Sequence, residues 1–149
     1  MKNNYKVSII VPTYNCEITI KDSLLKIIDE SKKMISEIIV VDDCSKDNTV
    51  KIIETFENIK LIKLKENNGA GNARNVGAEQ AKYENLCFID SDIIISEDSI
   101  LNLVKRLHQD EETGSALATQ DAFNLNKKEW SSNFVCLKSC YGTDTIKTE

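Results

Sequence analysis

The chain has little basic charge, a single histidine, one proline and no long apolar run. Its 149 residues hold 19 Lys and Arg against 24 Asp and Glu, a net charge of −5. No basic stripe interleaved with aromatics occurs, so a nucleic-acid surface is not expected. The run from Val7 to Pro12 is too short for a membrane span or a secretory core. A cytoplasmic protein is expected, and a peripheral seat on the inner face of a membrane stays open. The five cysteines, Cys16, Cys44, Cys87, Cys136 and Cys140, are odd in number and follow no export signal. They read as reduced thiols rather than a disulfide framework. Cys136 and Cys140 would be neighbours on a helix, but no second Cys/His pair completes a zinc site. His108 stands alone and reads as a solvated residue near a helix end. Repeats, low-complexity tracts and linkers are also lacking, so one domain with a proper core is expected.

Short apolar runs alternate with helical periodicity. Val7-Ser8-Ile9-Ile10-Val11, ended by Pro12, reads as a strand buried on both faces. From Glu17 to about Glu30, Ile20, Leu24, Ile27 and Ile28 recur at helical spacing. Glu37 to Val41 is a second buried strand, and a helix with Val50, Ile53 and Phe56 inward follows. Ile59 to Leu64 is a third, more exposed strand near a sheet edge. Asn72 to Ala81 is predicted helical, with Ala73, Gly77 and Ala81 forming a face that can pack closely. Leu86 to Ile89 is a fourth strand. Ser96 or Asp98 caps a helix carrying Ile100, Leu101, Val104 and Leu107. Ala116 to Gln120 is a fifth strand. Beyond Asp121 the pattern dissolves into an irregular segment with one helix, in which Trp130, Phe134, Val135 and Leu137 are packing residues. Strands alternating with helices predict an α/β fold around a mostly parallel sheet, with helices on both faces.

Each polar cluster follows a predicted strand. These are Pro12-Thr13-Tyr14-Asn15, Asp42-Asp43, Asn67 to Arg74, and Asp90-Ser91-Asp92. Open α/β sheets bind ligands at those strand ends. In an extended segment Asp90 and Asp92 point the same way. Paired carboxylates repel unless a proton or cation lies between them, and a hard divalent metal is the natural partner. A nucleotide-sugar fits the remaining chemistry. Asp42 can accept a ring N–H of the base. Glu17 and Thr13 can meet ribose hydroxyls, and Arg74 with a metal at Asp92 can meet a diphosphate. The Gly69-Ala70-Gly71 turn opens a helix N-terminus, which favours anions. Each residue also has a plain structural use: Asp42-Asp43 as a capping loop, Glu17 as a first-turn helix acid, and Arg74 as a surface helix residue.

Taken in order, Ile10-Val11-Pro12-Thr13-Tyr14-Asn15, Val40-Val41-Asp42-Asp43-Cys44-Ser45-Lys46-Asp47-Asn48-Thr49, Asn68-Gly69-Ala70-Gly71-Asn72-Ala73-Arg74-Asn75-Val76-Gly77 and Phe88-Ile89-Asp90-Ser91-Asp92 resemble the family 2 glycosyltransferases of GT-A fold. The resemblance covers about residues 5 to 121. It implies a Rossmann-like GT-A domain over 1–121. It makes 122–149 the irregular start of a truncated or absent acceptor-binding portion. It also implies a nucleotide-diphosphosugar donor, most often UDP-linked, and Mg²⁺ or Mn²⁺, in polysaccharide biosynthesis. By that likeness Pro12, Thr13, Tyr14 and Glu17 line the nucleoside site, and Asp42 holds the base. Arg74 contacts the nucleotide, Asp90 sits near ribose and metal, and Asp92 is the direct metal ligand. The acceptor (a glycan, lipid-linked or protein hydroxyl) and the oligomeric state are not specified by these motifs.

Family members usually carry a later acid as general base. Glu97-Asp98 comes too soon and reads as a helix start, which leaves Asp121 and Asp144. A non-catalytic donor-binding or interaction domain is therefore the alternative. A nucleotidyltransferase would want a Gly-rich basic loop after the first strand, where Pro12-Thr13-Tyr14-Asn15 stands. A dinucleotide oxidoreductase would want Gly where Arg74 stands, after the first strand rather than the third. A receiver-type phosphoacceptor module would carry its acidic pair after strand one, not strand two.

Overall fold

A computed structural model describes residues 4–109, 115–119 and 133–138, with side chains through residue 115. The elements are β1 (Lys6–Thr13), α1 (Ile20–Ser31), β2 (Ile35–Asp42), α2 (Thr49–Ile53), β3 (Lys60–Lys63), α3 (Gly69–Glu79), β4 (Asn85–Phe88), α4 (Ser99–Leu107), β5 (Ser115–Thr119) and β6 (Asn133–Lys138). They form one sheet in the order β3-β2-β1-β4-β6-β5. The first four strands in that order are parallel, and β6 runs antiparallel to both β4 and β5. The expected α/β architecture is thus observed, with β3 at an edge.

Burial on both faces explains the unbroken apolar runs of β1 and β2. Val7, Ile9, Val11, Ile38 and Val40 face a core shared with Ile20, Leu24 and Ile27 of α1, Ile53 of α2, and Ile100, Val104 and Leu107 of α4. Ile39 and Val41 face the other way, toward Ala73 of α3. A helix the length of α1 is marginal alone in water. Burying Ile20, Leu24 and Ile27, at about 1.5–3 kcal/mol each, is what holds it.

The small-residue face of α3 has a direct steric reason. A Cβ added at Gly77 would collide with Ile10 Cγ2 of β1 and lie 3.3 Å from Val41 Cγ2 of β2. Only glycine there lets the helix lie down on the sheet.

Three details differ from the sequence reading. Helix α3 starts at Gly69, three residues ahead of Asn72, because the loop before it is held from outside the helix. The position preceding α4 is Asp98, in the left-handed region at φ 59°, but its side chain does not cap the helix. Its carboxylate instead accepts a 2.8 Å bond from Lys33, which also reaches Glu30 at 2.7 Å and so ties α1 to the start of α4. The segment after residue 121, read as irregular with one helix, contains strand β6, which inserts between β4 and β5. Its Phe134-Val135-Cys136-Leu137 run is too short to distinguish strand from helix without its partners. Cys136 therefore stands on a strand, in register with Cys87, and not on a helix beside Cys140, which lies outside the described residues. Cys16 and Cys44 are free thiols. His108 is exposed as expected, yet it stacks on Tyr5 at 5.3 Å and pairs with Asn85 at 3.1 Å. Trp130 and Asp121 lie outside the described residues.

Gly77→Ala tests the close approach. In a free helix this change stabilises by about 1 kcal/mol. Here the overpacking cost of about 1–3 kcal/mol should exceed that gain. Urea unfolding should therefore show a destabilised variant, and a variant as stable as the parent would mean that α3 stands farther from the sheet.

Candidate active site

Strands β1 and β4 stay in register only as far as Ile10 and Phe88, and the last rung on that side runs from the Ile89 N–H to the Ile10 carbonyl at 3.0 Å. Backbone groups of alternate residues point to the same side of a strand, so the next rung would need a donor at residue 12. That residue is Pro12, which has no N–H. Beyond it β1 pairs only with β2, and the chains after β1 and β4 part. This is the point where the strand order reverses, the usual ligand crevice of such sheets. A cavity of about 710 Å³ opens there. Of the eight residues singled out from the sequence, Pro12, Thr13, Tyr14, Glu17, Arg74, Asp90 and Asp92 line it. Asp42 lies buried at the end of β2 and is not among the lining residues, whereas Asp43 is.

Two loops forming one wall are laced together by side chain to backbone bonds. The Asn15 N–H donates to Ser45 Oγ at 2.9 Å, and Asn15 Oδ1 accepts from the Lys46 N–H at 2.7 Å. The Cys16 N–H donates to Thr49 Oγ1 at 2.8 Å. Asp47 accepts from the N–H groups of Glu17 at 3.1 Å and Thr49 at 2.9 Å. Glu17 Oε2 accepts from both the backbone N–H and Nδ2 of Asn48 at 2.9 Å. Helix α2 has only five residues and could not persist alone. Glu17 and Asp47 satisfy the donors at its mouth that would otherwise be orphaned. Glu17 was expected at the ribose, and one of its oxygens is engaged in this cap. Thr13 Oγ1 donates to the Val41 carbonyl at 3.3 Å, which leaves the hydroxyl's lone pairs free to accept.

The acidic pair at the end of β2 divides its labour. Asp43 accepts from the N–H groups of Asn68 at 3.0 Å and Gly69 at 2.7 Å, at the mouth of α3. The anion site expected for a diphosphate at that helix is therefore filled in part by the protein's own carboxylate. Asp42 is 2 % exposed; its Oδ2 accepts from the Ser45 N–H at 3.0 Å. Its Oδ1 is buried without a hydrogen-bond partner among the described residues. Such an orphaned oxygen is costly unless something supplies a donor.

On the opposite wall, Arg74 projects from α3 and donates to Asp90 Oδ1 at 2.5 Å. Asp92 is exposed and has no ion pair or hydrogen bond among the described residues. No group of three or more His, Cys, Asp or Glu side chains is arranged to hold a metal among the described residues. The donor set nevertheless fits Mg²⁺ or Mn²⁺ of one kind. Such ions commonly use one or two carboxylates and complete their shell with water and substrate phosphates. Asp92, with Asp90 beside it, would be the holders.

Sequence reasoning placed Asn15 and Ser91 in the strand-end clusters without giving them a role, and it missed Cys16 and Asp47 as parts of this cavity. Asn15 has a φ of 46°, a conformation that Asn tolerates well. Burial pushes the Cys16 thiol above its ordinary value, against smaller opposing contacts from Ser91 and Thr49. A raised value favours the protonated thiol at a point where three loops meet. Partial burial of Asp47 tends to raise its carboxyl, but the bonds from Thr49 and the Thr49 and Glu17 N–H groups prevail and hold it below the usual range. A lowered folded-state value stabilises above the ordinary Asp range near pH 4, and that stabilisation disappears as pH falls through the lowered value. Asp47→Ala should cost about 1 kcal/mol at neutral pH. It should also flatten the loss of stability as pH falls below about 4. Urea unfolding across that range checks both, and a parent-like profile would mean that the lacing contributes nothing.

The sequence profile described as Glycosyl transferase family 2 matches residues 8–147. Over 100 residues the chain is 40% identical to the poly(ribitol-phosphate) beta-N-acetylglucosaminyltransferase TarS of Staphylococcus aureus, spanning 64% of this chain and 18% of TarS. The crystal structure of S. aureus TarS 1–349 in complex with UDP superposes with a TM-score of 0.66 at 26% identity, over 91% of this chain and 47% of that one. A mannosyltransferase from Pyrobaculum calidifontis, in complex with GDP-Man and Mn²⁺, superposes with a TM-score of 0.65 at 30% identity, over 73% of this chain and 34% of that one. The chain therefore spans less than half the length of these relatives. With a parallel sheet flanked by helices on both faces and a cavity at its switch point, it has the GT-A fold and belongs to glycosyl transferase family 2.

Proposed function

We propose that this chain is the donor-binding portion of an inverting glycosyltransferase that uses a nucleotide-diphosphosugar, with UDP as the nucleotide and Mg²⁺ or Mn²⁺ as the cofactor. One observation carries the reading. Side chains from four strand ends, Tyr14 after β1, Asp43 after β2, Arg74 after β3 and Asp90 and Asp92 after β4, line one cavity of about 710 Å³, and Asp42 lies buried at the end of β2, next in sequence to Asp43. That volume is within the usual range for small-molecule sites. The orphaned Oδ1 of Asp42 is the acceptor a uracil N–H requires. UDP in the TarS structure supports the nucleotide, and GDP-Man with Mn²⁺ in the mannosyltransferase supports the donor class and the metal.

In the proposed reaction an acceptor hydroxyl oxygen bonds to the anomeric carbon from the face opposite the leaving group. The bond from that carbon to the phosphate oxygen breaks, and the hydroxyl proton passes to a base. The acceptor is a glycan, lipid-linked or protein hydroxyl, and the chain works in the cytoplasm, at the membrane's inner face where the acceptor is lipid-linked. Asp121 and Asp144, both outside the described residues, are the candidate bases. The sugar gains positive charge in the transition state and the leaving diphosphate gains negative charge. Arg74 lines the cavity, and its guanidinium would offset that negative charge. Asp92, with Asp90 beside it, would hold the divalent metal, which would supply further electrostatic stabilisation of the leaving group.

Calorimetric titration with UDP tests the reading. Affinity should rise when Mn²⁺ is added. Asp92→Ala should weaken metal-supported binding by at least the ~10-fold that loss of even an outer-shell partner typically costs. Asp42→Ala should weaken UDP binding with or without metal. An affinity for UDP that does not respond to Mn²⁺, or that is unchanged in both variants with Mn²⁺ present, would overturn the assignment.

A further inference from the structure

The ion pair between Arg74 and Asp90 lines the cavity and joins α3 to the end of β4. Its charged atoms are 2.5 Å apart, and the two side chains are 36% and 33% exposed. Asp92, two residues on, has no partner among the described residues. The nearest cationic group to this carboxylate pair is therefore a guanidinium, and it holds only one of the two acids. The remaining acids of the cavity do not compete for it: Glu17, Asp43 and Asp47 each accept backbone N–H groups.

We propose that Arg74 is the resident counter-ion of Asp90 and gives up that place when the carboxylate pair takes a divalent cation, freeing the guanidinium for the donor's pyrophosphate. The inference rests on the donor-binding reading above and adds to it a role in sequence for one residue. Three physical points carry it. Two carboxylates on one short segment need a compensating positive charge. Arg74 supplies one unit, and a divalent cation supplies two at the same acids. A guanidinium matches a phosphate at least as well as a carboxylate, because both accept its forked N–H donors. The pair is about one-third exposed, so solvent screens it and breaking it has a modest cost. Asp90 can therefore exchange partners rather than lock them. The consequence is thermodynamic coupling: cation and nucleotide each favour the state in which Arg74 has left Asp90, so each tightens the other.

Loss of Arg74 should then act in opposite directions on the two ligands. Mn²⁺ alone, titrated without nucleotide and followed by the paramagnetic resonance of the free ion, should bind Arg74→Gln about two- to fivefold more tightly than the parent, as expected for removal of a partly exposed competing pair. Arg74→Lys keeps the charge and should bind Mn²⁺ as the parent does. In the same Arg74→Gln protein, UDP with saturating Mn²⁺ should bind about tenfold or more weakly. A second readout uses the unaltered chain. Diamagnetic Mg²⁺ should shift the Arg74 guanidinium ¹⁵N resonances, and UDP should shift them again. Mn²⁺ affinity in Arg74→Gln equal to or below that of the parent, or a guanidinium signal indifferent to Mg²⁺, overturns the exchange while metal-dependent UDP binding in the parent stands. Absence of any metal-dependent UDP binding in the parent overturns the underlying reading instead.

Discussion

The site depends on a hydrogen bond that cannot form. After the Ile89 to Ile10 rung, the ladder between β1 and β4 would continue through a donor at residue 12, and proline has none. The two strands part at that point, and everything that follows them is free to splay. The chain's one proline is thus a wedge at the centre of the sheet. On the other side β1 keeps its partner β2 as far as Thr13 and Asp42, so the wall holding the acidic pair stays rigid while the opposite wall opens.

The acids at the strand ends fall into two kinds. Glu17, Asp43 and Asp47 satisfy backbone donors at the mouths of α2 and α3. They hold the loops still, and the two short or glycine-opened helices could not keep their first turns without them. Asp42, Asp90 and Asp92 retain capacity: one has a buried oxygen without a donor, one shares a guanidinium, and one faces solvent. A carboxylate with unmet acceptor capacity in a cavity is poised to bind, whereas a capped one is already satisfied. This division separates scaffold from chemistry more sharply than position along the chain does.

Much of this was legible in the residues. The β-branched runs and the 3.6-residue periodicity predicted an α/β sheet, and each polar cluster fell where a strand ends, because open sheets expose their loops at those edges. Gly77 was legible as part of a close-packing face, though not as the one position where a methyl group meets Ile10. The cap roles of Asp43 and Glu17 were visible only as the ordinary alternatives to binding. Strand β6 was not legible, since a short apolar run becomes a strand only when an edge is there to pair with it.

The sequence by itself determined the fold class, the order of the elements through β5 and most of the residues that meet at the strand ends, since these follow from local periodicity. Tertiary structure decided which acid caps a helix and which is left to bind. The partners of Glu17 lie 31 residues away and those of Asp43 lie 25 and 26 away, and hydrogen bonds over such separations exist only once the sheet has brought its loops together.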